Sequence, residues 1–319
     1  MSDVQLTIDG VAVSVPEGAT ILDACRAEGK EQPTLCYLET LTPVNTCRVC
    51  VVQVTGSRTL VPSCSRVIEE GTDISTDSPA VRQTRKVIFE FLASSVDMSL
   101  VDEPTQQWMD HYEVDPTRYG PTAADSPAGA RDGRHAGHHA APVGGLTETV
   151  AQPVKIDDAL YVRDYGKCIL CYKCVEACGP DAQNTFAIQV AGRGFDARIS
   201  TEFNVALTSS ACVYCGNCIG VCPTGALMFR SEYELRKASM WDEEAQTVTR
   251  TVCSYCGVGC NLELHVQDNR IVKVTSPQDH SVTSGHLCIK GRFGYESVQE
   301  LGDLENTPID AVLRAARTS

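Results

Sequence analysis

Aromatic side chains are scarce in this chain, making up 6% of its 319 residues. No run of 18 or more apolar residues occurs, so no membrane span is expected. Basic residues are outnumbered, with 27 Lys and Arg against 41 Asp and Glu and a formal charge of -14. Nucleic acid is held by basic patches, and that class of partner is disfavoured. The opening Met1-Ser-Asp-Val-Gln-Leu-Thr-Ile8 has no basic patch followed by an apolar stretch, so no secretory signal is expected. The cytoplasm is the expected compartment. The length leaves room for two or three domains with modest cores.

Cysteine is abundant instead: there are 17. A disulfide reading would require export, whereas CxxC runs without a signal point to metal or redox work. Sixteen of the cysteines fall into four sets of four. They are Cys36, Cys47, Cys50 and Cys64; Cys168, Cys171, Cys174 and Cys178; Cys212, Cys215, Cys218 and Cys222; and Cys253, Cys256, Cys260 and Cys288. Thiolates in fours suit iron–sulfur clusters, whose irons need soft anionic ligands in tetrahedral array. Ligation would also supply folding energy that a small core lacks. Cys25 is left over and is expected to be a small buried thiol. Each all-cysteine cluster with a 2+ core adds -2, so four would take the charge to about -22. Such acidity suits docking on basic partner surfaces, and simple solubility explains it equally well.

Residues 5–16 read as a hairpin turned by Asp9-Gly10. Thr20 caps a short helix with Asp23 at its third position and Gly29 as its stop. Strands are expected at 51–55 and around 59–61, about a Gly56-Ser57 turn. Ser78-Pro79 opens a helix with an apolar stripe of Val81, Ile88, Phe91, Leu92 and Ser95. From 121 to 145, Pro, Gly and Ala dominate without periodicity, which predicts a linker. Leu262–Val266 and Arg270–Val274 form a strand pair joined through Asp268-Asn269. The second and third cysteine runs repeat C-x2-C-x2-C-x3-C, every cysteine recurring 44 positions later.

The order hairpin, helix, strands resembles a β-grasp ferredoxin with the first cysteine set on its loops. The spacing C-x10-C-x2-C-x13-C resembles the [2Fe–2S] site of the complex I large iron–sulfur subunit. The repeat resembles a two-cluster ferredoxin, which implies crossed ligation: Cys168, Cys171, Cys174 and Cys222 hold one cluster, and Cys212, Cys215, Cys218 and Cys178 the other. Ile169, Val213, Ile219 and Val221 would shield the sulfurs from water. Structural zinc remains the alternative for these sets. Cys253-Ser-Tyr-Cys256-Gly-Val-Gly-Cys260 with Cys288-Ile-Lys290-Gly-Arg-Phe resembles the N-terminal cluster domain of molybdenum or tungsten bis-pyranopterin oxidoreductases. Gly257 and Gly259 would let the backbone approach the cluster, and the resemblance places Lys290 between cluster and pterin.

Residues 1–300 together resemble the front end of the large subunit of cytoplasmic NAD-dependent formate dehydrogenases. The same modules are found in the complex I large iron–sulfur subunit and the diaphorase small subunit of NAD-reducing hydrogenase. The expected fold is α+β and multidomain. It comprises a β-grasp [2Fe–2S] domain at 1–77, a helical segment at 78–120, a flexible linker at 121–150, a double [4Fe–4S] ferredoxin at 151–245, a [4Fe–4S] domain of molybdopterin-oxidoreductase type at 246–300, and a tail at 301–319. One [2Fe–2S] and three [4Fe–4S] clusters follow. The family's extra His-plus-three-Cys cluster is not expected, because residues 65–167 contain no cysteine. Gln106–Tyr119 nevertheless resembles the sequence just after that site.

The family's pterin-binding domains and active-site residues have no counterpart before Ser319, so no catalytic residue is assigned. FMN and a Mo/W bis-pterin are expected in partner chains: a flavin/NAD-binding subunit and a separate pterin catalytic subunit. The expected role is electron relay between them. The alternatives are the equivalent subunit of an NAD-reducing hydrogenase and a zinc-binding, non-redox scaffold. His111, His135, His138 and His139 read as solvated residues rather than ligands, because ligating imidazoles need supporting partners.

Overall fold

A computed structural model describes residues 3–120, 139–140, 149–150, 152–279 and 282–299. Strands β1 (Asp3–Ile8) and β2 (Val11–Pro16) pair antiparallel. Asp9 and Gly10 both take positive φ, 50° and 81°, as a tight turn matched to strand twist requires. Helix α1 (Ile21–Ala27) starts at Thr20 in a capping box with Asp23. Strands β3 (Val51–Val54), β4 (Val61–Pro62) and β5 (Asp73–Ser75) complete a sheet of order β2-β1-β5-β3-β4, with β1 and β5 parallel. Ile21, Ala24 and Cys25 of α1 close its core against Leu6, Ile8, Val13, Val52 and Ile74. This is the expected β-grasp arrangement. The short central β5 was not expected, since three residues carry no readable alternation.

Helix α2 (Pro79–Ser95) begins at Ser78, and α3 (Glu103–His111) begins at Asp102. The expected stripe on α2 needs correction. Phe91 is 49% exposed and stacks on Tyr119, while Val81, Arg85, Phe89 and Ala93 face inward. The stripe was misplaced because it contains an arginine. Arg85 is buried and hydrogen-bonds Val51 O, Gln32 Oε1 and Tyr112 Oη. Phe89, Val96, Met98, Met109 and Tyr112 pack with Leu35 and Val49 of the loop that carries the first cysteine set. Most of the expected linker, with His135 and His138, and the tail at 301–319 lie outside the described residues. Within that stretch, β6 (His139–Ala140) and β7 (Thr149–Val150) pair antiparallel.

Strand β8 (Tyr161–Arg163) precedes the second cysteine run, which leads into α4 (Lys173–Cys178). Strands β9 (Gln189–Ala191) and β10 (Arg198–Ser200) pair with each other. The third run leads into α5 (Asn217–Gly220), then β11 (Leu227–Phe229), which pairs antiparallel with β8. Helix α6 (Arg230–Lys237) connects to the sheet of β12 (Thr247–Val252), β13 (Asn261–Gln267) and β14 (Arg270–Thr275). Asp268 and Asn269, both at positive φ, make the expected turn. Strand β12 was not expected, because all six of its residues are exposed and show no buried face. Helix α7 (Ile289–Phe293) follows Cys288.

Candidate metal centres

The first set lies on loops between α1 and β5. Cys36, Cys50 and Cys64 are buried and Cys47 is half-buried. Asn45 and Arg48 take positive φ, 60° and 61°. The loop thereby wraps Cys36, whose sulfur accepts the Cys47 N–H at 3.4 Å, with the N–H groups of Thr46 and Asn45 alongside. The Cys47 thiol and these N–H groups outweigh burial and hold Cys36 down to about 6. The Cys64 thiol acts likewise on Cys50, also held to about 6. Cys47 and Cys64, the proton donors of these pairs, are pushed up. Leu22 and Tyr37 cover Cys50 and Cys64. A buried pocket with N–H groups turned toward sulfur, in which two of the four thiols are held low, suits a thiolate-held cluster.

The 44-residue repeat extends to the backbone. Leu170 and Tyr214 have φ of 53° and 57°, and Tyr172 and Gly216 have φ of 64° and 72°. Three of these four are not glycine, a costly conformation that persists only where the surroundings enforce it. Each left-handed residue aims the N–H groups of a run at its own sulfurs. Leu170 and Lys173 point at Cys168 and Cys171, and Tyr214 and Asn217 at Cys212 and Cys215. The sulfur of Cys212 accepts the Tyr214 N–H at 3.4 Å.

The fourth cysteine of each run lies with the other run. Cys168, Cys171, Cys174 and Cys222 line one enclosed cavity with Tyr165, Ile199 and Leu227. Burial raises Cys218 well above its ordinary value, and Cys215, Cys178 and Cys212 raise it further. Cys174 behaves the same way among Cys171, Cys168 and Cys222. Two buried tyrosines complete the walls, Tyr165 beside Cys174 and Cys168, and Tyr161 beside Cys218, Cys212 and Cys215. Neither hydroxyl has a well-formed partner in the protein, although Arg163 lies over the Tyr165 ring and the Gly216 backbone lies beside Tyr161. Buried hydroxyls without acceptors are rare, and the inorganic sulfides of a cluster would supply acceptors at both. Among the described residues no three or more His, Cys, Asp or Glu side chains are gathered as a metal-ion site.

Of the expected shielding residues, Ile219 and Val221 are buried and Ile169 packs against the core of Phe89, Val96 and Met109. Val213 corrects the expectation: at 42% exposed it faces solvent. Tyr161, from the strand ahead of the second run, stands beside Cys212, Cys215 and Cys218 instead. Cys25 is wholly buried in the β-grasp core, and burial raises it to about 11. His111 stands at the surface against Trp108 and Tyr112.

In the fourth set Cys253 and Cys260 are buried, while Cys256 and Cys288 are exposed. The Cys253 N–H donates to Cys260 O at 2.8 Å, and Tyr255 Oη donates to Gly294 O at 2.7 Å, tying the CxxC turn to α7. Gly259 has φ of 70°, whereas Gly257 is not in the left-handed region. Backbone conformation therefore asks for glycine at Gly259 and not at Gly257. Lys290 is exposed on α7, two residues after Cys288.

The sets succeed one another through the molecule. Cys171 is raised to about 11 by burial, and Cys222 and Cys36 of the first set are among the groups that add to it. Cys218 is among the thiols acting on Cys174. Asn217, between Cys215 and Cys218, accepts the N–H of Leu287 at 2.9 Å, next to Cys288. Thr42 binds Asp181 through both its N–H and its hydroxyl, at 2.6 and 3.0 Å, fixing the first loop on the double-run domain.

Three family models match these regions. They describe a 2Fe-2S iron–sulfur cluster binding domain over residues 2–79, a 4Fe-4S dicluster domain over 167–226, and a molybdopterin oxidoreductase Fe4S4 domain over 246–300. The chain is built from iron–sulfur domains. It is 30% identical to an NADH-quinone oxidoreductase subunit of Rhizobium meliloti, over 93% of this chain and 32% of that one. It is 32% identical to the alpha subunit of the NADPH-Fe(3+) oxidoreductase of Geobacter sulfurreducens, over 92% of this chain and 31% of that one. A Staphylococcus haemolyticus protein provisionally named formate dehydrogenase is 25% identical over 91% of this chain and 30% of its own length. The chain thus spans about a third of the length of the curated relatives it matches. In fold it is similar to a chain in the crystal structure of an NAD+-reducing [NiFe]-hydrogenase, with a TM-score of 0.56 and 21% identity over 72% of this chain and 88% of that one. No helix among the described residues is long and apolar enough to cross a membrane.

Proposed function

We propose that this chain relays electrons between a flavin/NAD-binding subunit, which carries FMN, and a molybdenum or tungsten bis-pterin formate dehydrogenase site held outside residues 1–319. The carrying observation is the succession of the four cysteine sets, with Cys36 close enough to act electrostatically on Cys171 and Asn217 joining the third set to the element that bears Cys288. The clusters, when bound, supply one-electron carriers. The protein's part is to hold thiolates, aim N–H groups at sulfur and exclude water.

The β-grasp end is assigned to the flavin side. The Cys253–Cys288 end is assigned to the pterin side on three grounds. That region matches a molybdopterin oxidoreductase domain. Cys256, Cys288 and Lys290 are exposed there. Val252, Tyr255, Val258 and Ile289 leave an apolar surface around them, 60, 42, 57 and 41% exposed. Exposed apolar patches mark docking surfaces, and this one suits a pterin-bearing partner. Cysteines kept free in cluster-spaced sets rather than paired as disulfides support a cytoplasmic location.

Purification of the native assembly tests the reading. Co-purifying flavin with molybdenum or tungsten supports it. Nickel in their place favours a hydrogenase subunit, and a colourless chain carrying zinc would overturn the redox reading altogether.

A further inference from the structure

Arg292 is 1% exposed. Its guanidinium donates to the carbonyls of Cys215 at 3.4 Å and Val274 at 3.3 Å, and to Asn217 Oδ1 at 3.2 Å. None of these partners is a carboxylate. A cation buried without an anion is costly, so its presence asks for a negative group nearby. The third cysteine run is shaped around it. A Cβ on Gly216 would stand 2.9 Å from Arg292 Cγ, and one on Gly220 3.3 Å from Nη2. The Arg292 N–H also bonds Cys288 O at 3.0 Å, which anchors the residue on the element of the fourth set.

We propose that Arg292 is the fixed counter-charge of the cluster held by Cys178, Cys212, Cys215 and Cys218, and that it raises that cluster's reduction potential. The proposal rests on the ligand sets given above. One electron added to a [4Fe–4S] cluster takes core and four thiolates from a charge of about -2 to -3, with no bond or proton exchanged. A fixed positive charge stabilises the more negative state more strongly, and low-dielectric surroundings magnify the difference. A guanidinium is a cation at neutral pH. Arg292 touches no iron; it is a positioning residue acting through charge. Its effect is to favour the electron on the cluster next to the fourth set.

The test is a redox titration of the anaerobic chain followed by electron paramagnetic resonance, with dithionite as reductant. The signal of this cluster is identified as the one lost or altered in Cys178→Ser. In Arg292→Gln its oxidised-to-reduced ratio at fixed potential should rise about tenfold, a downward shift of about 59 mV for a one-electron couple. Arg292→Lys should restore most of the shift. Asn217→Asp sets a carboxylate against the guanidinium without removing Arg292. It should shift the same signal in the same direction, and it decides the matter if Arg292→Gln loads no iron. An unmoved signal in Asn217→Asp, or equal shifts of all clusters, would overturn the proposal. Wild-type protein with no cluster on this set would overturn the ligand reading beneath it, and its iron content reveals that before any variant is made.

Discussion

Lys167, the residue before the first cysteine of the second run, forms a buried ion pair with Asp97, just beyond the end of α2. Asp164 is a second, more distant partner at 3.8 Å. The pair and the bond from the Asp97 N–H to Gly166 O, at 3.0 Å, dock the helical segment on the double-run domain. Asp97→Ala would strip the lysine of its close partner and leave only Asp164. A loss of about 2–3 kcal/mol is expected, below the usual range for a broken buried pair. Faster anaerobic decay of the cluster absorbance on heating would register it.

The same pair gives a pH dependence. Burial pushes the Asp97 carboxyl up, but hydrogen bonds from Lys167 and Ser99 outweigh this and hold it below its ordinary 3.8. The folded value is depressed, so the stabilisation is complete above the unfolded value and lost as pH falls through the folded one. The stability gap between wild type and Asp97→Asn should be constant above about pH 5 and shrink below about pH 4. A gap that widens on acidification would contradict this assignment.

Iron and acid-labile sulfide assays on anaerobic protein should give about fourteen irons per chain, from one [2Fe–2S] and three [4Fe–4S] clusters. About eighteen would mean a further cluster in a region read as having none, since residues 65–167 contain no cysteine.

Cys178→Ser should damage the cluster of Cys212, Cys215 and Cys218 and spare the one nearest in sequence, because its sulfur is among those acting on Cys218. Loss of the Cys168 cluster in this variant would refute crossed ligation.

Without partners, the chain should take electrons from dithionite and oxidise no formate. With a flavin subunit bound, NADH should reduce its clusters, and that association should weaken as salt rises, given the charge of -14. Lys290→Ala should leave NADH-driven cluster reduction intact and slow formate–NAD turnover in the full assembly. Unchanged turnover would remove Lys290 from the electron path.

The local features were legible because they depend on near neighbours in the chain. The Asp9-Gly10 turn, the Thr20–Asp23 capping box and the turn at Asp268-Asn269 need only a few residues each. The cysteine spacing was equally plain, since a cluster demands several ligands within reach of one loop. Phe91 was misread because periodicity names a face but not what lies against it, and Val213 because a place between two cysteines in sequence does not say which way the side chain turns. The inward face of α2 includes an arginine that only the carbonyl of Val51 and the side chains of Gln32 and Tyr112 make tolerable there.

The sequence by itself determined the number and kind of cysteine sets, the 44-residue repeat and the acidic charge. Tertiary structure alone decided which sets adjoin, which sulfurs face solvent, and that Arg292 passes over Gly216 and Gly220 to reach Cys215 and Asn217. Ligand spacing is written over a dozen residues, whereas burial of a charge depends on atoms brought together from more than seventy residues away. No local pattern distinguishes Arg292 from the exposed Lys290 two positions before it.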